Sequence, residues 1–154
     1  MKGTANMDMI IKPFVGVDKF KLLSSEREVL KLLNERNLSF SKEIWDNEEC
    51  TVKVPWTVIR ADNSMSFFFA KDKLFKIYME EGFNGSLQNG IAIGTSIDEA
   101  KRIDNTLKYD EWNEDWSSDC GYWLEDSLDT NKVVSLTVFI RELLDDDLFE
   151  KYEW

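Results

Sequence analysis

"LLSSEREVLKLL" (residues 22–33) and "AIGTSIDEAKRI" (residues 92–103) share a pattern, and that pattern sets the expected fold. Aligning Ser25 with Ser96 brings Glu28 onto Glu99, so each phrase carries the Ser-x-x-Glu spacing of a capping box. In that motif the serine oxygen accepts from a backbone N–H one turn on, and the glutamate reaches back to the serine's own N–H. Each phrase therefore opens a helix. Val29, Leu30, Leu32 and Leu33 then fall at helical spacing, which predicts an amphipathic helix from Ser25 to about Arg36. In the second phrase Ala100, Ile103 and then Leu107 lie on one face of a shorter helix.

Moving outward from the caps, each is preceded by a short apolar segment behind a glycine, "GVDKFKLL" (16–23) and "GIAIG" (90–94). Each helix is followed by a polar and aromatic loop and then by strand-like runs. In the first half these are "TVIRA" (57–61), "SMSFFFA" (64–70) and "KLFKIYME" (73–80), where Leu74, Lys76 and Tyr78 alternate with Phe75, Ile77 and Met79. In the second half they are "GYWLED" (121–126) and "VVSLTVFIREL" (133–143), joined by "SLDTNK" (127–132), whose Asp and Asn suit a hairpin turn. "CTVKVPWTVIR" (50–60) offers a further strand in which Pro55 must occupy an edge, a bulge or a strand start. "EEGFNGSLQNG" (80–90) is the joint between the halves.

The expectation is one α+β domain spanning 1–154, an antiparallel sheet packed against helices. It is built from two pseudo-repeated helix-plus-β-hairpin units, at about 10–80 and 88–142, with an acidic C-terminal tail at 143–154. In that tail, "RELLDDDLFEKYEW" reads as a short helix with Leu144 and Leu148 docked and Asp145, Asp146 and Asp147 near its start, where the helix dipole favours them. With 154 residues, 43% of them hydrophobic, the chain can bury one core and is not globally disordered.

Composition narrows the function. No stretch approaches the roughly 18 apolar residues of a membrane helix, and "MKGTANMDMIIKPFVGV" (1–17) lacks a signal-peptide core, so the expected location is cytoplasmic with no membrane partner. Cys50 and Cys120 are too few for a disulfide scaffold or a zinc site and read as reduced thiols. Residues 1–103 carry 15 acidic and 15 basic side chains, whereas 104–154 carry 15 acidic and 4 basic, so the whole net charge of −11 lies in the last third. That argues against direct nucleic-acid binding, which needs clustered Lys and Arg, and for a basic protein partner.

A chain with no histidine lacks the commonest general base and metal ligand, and it has neither a phosphate loop nor a nucleophile elbow. No enzyme activity and no cofactor are expected, and "DEWNEDWSSD" (110–119) lacks the spacing of a calcium loop. The same region is the candidate partner-binding surface. Asp110, Glu111, Asp115, Asp119, Glu125 and Asp126 are the expected charge partners, with Trp112 and Trp116 as anchors. Tryptophan suits that role because it buries much area and keeps one polar handle. Trp112 and Trp116 also fall at the i, i+4 spacing of a helix face, which would make them core residues instead.

"IIKPFVGVDKFKLLSSEREVLKLL" (10–33), "SMSFFFAKDKLFKIYME" (64–80), "NGIAIGTSIDEAKRI" (89–103) and "GYWLEDSLDTNKVVSLTVFI" (121–140) together resemble small bacterial immunity proteins of polymorphic and contact-dependent growth-inhibition toxin systems. The doubled plan is also similar to the tandem units of the β-lactamase inhibitory protein. The resemblance implies a cytoplasmic inhibitor that binds a cognate toxin C-terminal domain, most naturally a nuclease with a basic cleft. A regulatory or scaffolding module for a basic housekeeping protein is the alternative function, and a carboxylate-based hydrolase comes third.

Overall fold

Residues 9–46 and 54–154 are described by the computed structural model. Ser25 caps helix α1 (Glu26–Glu35): its side chain accepts from the Glu28 N–H, and Glu28 reaches back to the Ser25 N–H, closing the expected box. Val29 and Leu33 are buried, while Leu30 and Leu32 pack against the core from its margin. The second cap is only half a box. Ser96 accepts from Glu99 N–H at the start of α2 (Ile97–Ile103), but the Glu99 carboxylate pairs with Arg102 instead of folding back. The buried residues of α2 are Ile97 and Ala100; Ile103 is exposed, contrary to the expected face, and Leu107 is buried beyond the helix.

The helix-plus-hairpin plan does not hold. The chain is mostly β, with three short α-helices among the described residues, and each capped helix leads into four strands rather than two. After α1 come β4 (Phe40–Trp45), β5 (Trp56–Ala61), β6 (Met65–Ala70) and β7 (Lys73–Glu80). After α2 come β9 (Lys108–Asp110), β10 (Asp115–Ser118), β11 (Tyr122–Asp126) and β12 (Val133–Phe139). These eight form one sheet in the order β4-β5-β6-β7-β12-β11-β10-β9, antiparallel at every pairing. β5 matches the expected run "TVIRA", whereas β4, β9 and β10 lie in the stretches read as polar, aromatic loops. Their charged residues have poor intrinsic β preference, and cross-strand pairing overrides it.

A second, four-stranded sheet orders β3 (Phe20–Lys21), β2 (Gly16–Val17), β1 (Met9–Lys12) and β8 (Gly85–Leu87). β8 lies in the segment read as the joint and pairs parallel to β1. Pro55 stands immediately before β5, the strand start allowed for it, and Asn131, with φ 56°, serves the β11–β12 turn as read. Cys50 lies outside the described residues; Cys120 is a free, exposed thiol.

The large sheet has two differently covered faces. Phe20 of the small sheet packs on Phe67 with ring centroids 4.9 Å apart, Lys42 reaches Glu26 of α1, and Lys101 of α2 lies 5.2 Å from the Trp116 ring. The small sheet and both capped helices therefore cover the face that carries Phe67, Ile77 and Leu124. On the opposite face the C-terminal segment closes one end. A 3₁₀ turn (Arg141–Leu144) leads to α3 (Asp146–Glu150), whose Phe149 packs on Phe75 and Trp56. Trp154 stacks on Phe149 at 5.3 Å, and the Trp56 indole N–H donates to the Tyr152 hydroxyl. Asp145 caps α3 as the dipole argument requires, but Leu144 and Leu148 stay exposed; Phe149 and Tyr152 dock instead.

A bulge between Phe68 and Phe69 shifts the β6–β7 register, pairing Phe68 with Lys76 and Phe69 with Leu74. Alternation along β7 breaks there. Leu74 joins Ile77 and Met79 on the helix-covered face, while Phe75 turns toward Trp56 and the C-terminal aromatics.

Candidate functional site

The register across β9 to β12 decides which of the acidic residues meet. Asp115 lies opposite Asp110, and continuing the β10–β11 register by one pair places Asp115 beside Glu125. Glu125 is opposite Ser135, and Ser135 is opposite Glu80. A single row on the face away from the capped helices thus reads Asp110, Asp115, Glu125, Ser135, Glu80. Burial pushes the Asp115 carboxyl above its ordinary value, and the neighbouring Asp110 and Glu125 charges push it the same way. No ion pair among the described residues engages a carboxylate between Asp104 and Asp129.

Glu125 is held by its own side of the sheet: the buried Ser135 hydroxyl donates to Oε1 at 2.5 Å and the Tyr78 hydroxyl at 3.2 Å. Asp110 organises the turn that follows it. Its Oδ1 accepts from the N–H groups of Trp112 and Asn113, and its Oδ2 accepts from the Asn113 side chain. This turn lifts the Trp112 side chain clear of the sheet, where it is 92% exposed. Leu128, 90% exposed in the β11–β12 loop, projects from the same end. Two large apolar side chains therefore stand beside the carboxylate row, with Glu111, Glu114 and Asp129 exposed around them.

The other expected site residues lie elsewhere. Trp116 and Asp126 occupy the helix-covered face, where the Trp116 indole donates to Asp126 at 3.2 Å and its ring meets Tyr109 edge-on at 5.2 Å. Trp112 and Trp116 do not share a helix; one tips a turn and the other sits in β10. Asp119 is in the β10–β11 turn, at the opposite end of these strands, about 13 Å from Asp115 at strand rise. The structure thus gathers Asp110, Glu111, Trp112, Asp115 and Glu125 at one end and separates Trp116, Asp119 and Asp126 from them. Leu128, Glu80 and the hydroxyls of Tyr78 and Ser135 were missed by sequence reasoning. A signal existed for Tyr78 and Glu80, which share a parity on β7, whereas Leu128 gave none.

One carboxylate behaves quite differently. Asp104, following α2 and only 6% exposed, accepts from the hydroxyls of Ser118 and Tyr122 at 2.5 Å each and from the hydroxyl and N–H of Thr106. Burial acts to raise its pKa, but these hydrogen bonds outweigh it and hold the carboxyl at about 2. The Tyr122 hydroxyl is pushed up, first by burial and then by its bond to Asp104. The group ties α2 to the β10–β11 turn and has no open approach for a substrate, so its role is structural.

Comparison of the chain with protein-family models, with curated proteins and with solved structures returned no match. No group of His, Cys, Asp and Glu among the described residues is arranged to hold a metal ion, and no helix among them is long and apolar enough to cross a membrane. The arrangement at the loop end of β9 to β12 suits recognition by charge and apolar contact.

Proposed function

We propose that this chain is an immunity protein that binds and neutralises the toxic domain of a bacterial growth-inhibition system. The docking surface is the loop end of β9 to β12. The observation that carries the reading is the pairing of an unneutralised carboxylate row, Asp110, Asp115 and Glu125, with the exposed Trp112 and Leu128 at the same end. Carboxylates without cations of their own are complementary to a basic surface, and a nuclease cleft, shaped to hold phosphates, is the natural one. Charge steers encounter and raises the association rate, while desolvated Trp112 and Leu128 slow release. The toxin assignment itself rests on the sequence resemblance.

The test is capture from lysate of the producing bacterium, with wild-type chain and the triple variant D110K/D115K/E125K as parallel baits at low and moderate salt. The expected result is one basic, toxin-like polypeptide on the wild-type bait, at least tenfold depleted on the variant, and the toxin's activity abolished by the wild-type chain alone. Equal recovery on both baits would sink the assignment of this surface. Recovery only of an abundant housekeeping protein would favour a scaffolding role.

A further inference from the structure

Lys76 is out of place in an acidic protein. It lies in β7 on the face away from the capped helices, half-buried, opposite Phe68 on one side and Phe139 on the other. Its ammonium sits 4.2 Å from the Phe68 ring centroid. Among the described residues it has neither a carboxylate partner nor a hydrogen bond. Burial lowers its pKa, with no neighbouring charge to offset the effect. The chain holds many acidic side chains, but the row on this face that carries Glu125 and Glu80 lies beyond the intervening row of Tyr78 and Thr137, and Glu125 there is engaged with hydroxyls.

We propose that Lys76 is the cation of a binding site for a carboxylate carried on an apolar or aromatic frame, with the buried Phe68 as the floor beneath the ammonium and the half-buried Trp123 and Tyr78 as its walls. The walls follow from register: Tyr78 is two residues along the same face of β7, and Trp123, across Thr137 from Tyr78, brings its ring 4.3 Å from that of Phe139, the residue opposite Lys76. The amine is already partly desolvated in the folded protein, so an incoming anion meets a donor that gives up little water on pairing. An aromatic or apolar frame gains contact with rings that are in place before binding.

This inference rests on the reading above, in which the occupant is an Asp or Glu side chain of the toxic domain. The partner's surface must then present basic groups to Asp110, Asp115 and Glu125 and one acid to Lys76. Opposite charges at two places on one face fix a single docking orientation and reject partners with uniform charge.

The test uses the isotopically labelled full chain and NMR titration with three probes: acetyl-Phe-Asp-Phe-amide, its Asn analogue, and sodium benzoate. The Asp peptide is expected to shift the Trp123 indole resonance and to bind at least fivefold more tightly than the Asn peptide. That preference should vanish in K76M and return in K76R, and D110N/D115N, which touches neither Lys76 nor the Tyr78–Glu125 bond, should leave it unchanged. Equal binding of the Asp and Asn peptides, or a preference that survives K76M, overturns the site. Benzoate binding without any Asp-peptide binding overturns the protein side chain as occupant. Because the acidic row is read by capture and Lys76 by these probes, either assignment can fail alone.

Discussion

Replacing Asp104 by Asn isolates the cost of the buried network behind α2. In the wild type four hydrogen bonds hold this carboxyl at about 2, against an ordinary 3.8. At 1.36 kcal/mol per unit the difference amounts to about 2 kcal/mol of stability at neutral pH. The amide also turns two donor hydrogens toward hydroxyls that now donate, those of Ser118 and Tyr122 or that of Thr106, so the total loss for D104N should reach about 3 kcal/mol. In a chain of this length that is a fall in Tm of roughly 6–12 °C. The pH dependence has a defined sign. A folded-state pKa below the unfolded value contributes stability that is complete above about pH 5 and lost as pH falls through 2, with about half remaining at pH 3. Urea unfolding followed by circular dichroism at pH 7 and pH 3 measures both effects. The deficit of D104N relative to wild type should shrink by about 1 kcal/mol at the lower pH. A deficit below about 1 kcal/mol at pH 7, or one of the same size at both pH values, would refute the account.

Two other substitutions probe different features. Asp115→Asn removes a charge crowded by Asp110 and Glu125, so it should stabilise the fold by about 0.2–1 kcal/mol at pH 7, with the gain fading as pH drops through the raised Asp115 value, by urea unfolding at several pH values. Gly121 has φ 101°, and a Cβ there would stand 2.3 Å from the Phe14 ring, so Gly121→Ala should cost about 2–4 kcal/mol in the same assay; a cost below 1 kcal/mol would show that Phe14 moves aside freely.

The helix caps were legible because a cap is local chemistry: serine, its N–H target and the returning glutamate lie within four residues. β5, β6, β7, β11 and β12 were legible for a similar reason, being apolar or alternating and bounded by turn residues. β4, "FSKEIW", and β10, "DWSS", were not, because their conformation comes from the strand alongside rather than from their own composition. That failure cut two four-stranded meanders to three runs in the first half and a hairpin in the second. The candidate site suffered in the same way. The acidic stretch was visible, but its division between two faces and two ends depends on strand register, which one-residue spacing cannot supply when the segment is taken for a loop or a helix. Trp112 and Trp116, four apart in sequence, are the clearest case.

The strand order has an implication for solubility. Each meander starts with its outermost strand and ends at the β7–β12 seam, so both free borders of the large sheet are the strands that follow the helices, β4 and β9. Open borders invite another chain to add on and grow a fibril. Here one border carries Lys42 and Glu43 at its middle, and the other is three residues long with Lys108 and Asp110 at its ends. The apolar runs most prone to stacking, "FFF" in β6 and "VVSLTVF" in β12, are locked into the interior of the sheet. Both borders, β4 and β9, lie in stretches that read as loops, and their charges are what blunt the sheet against polymerising.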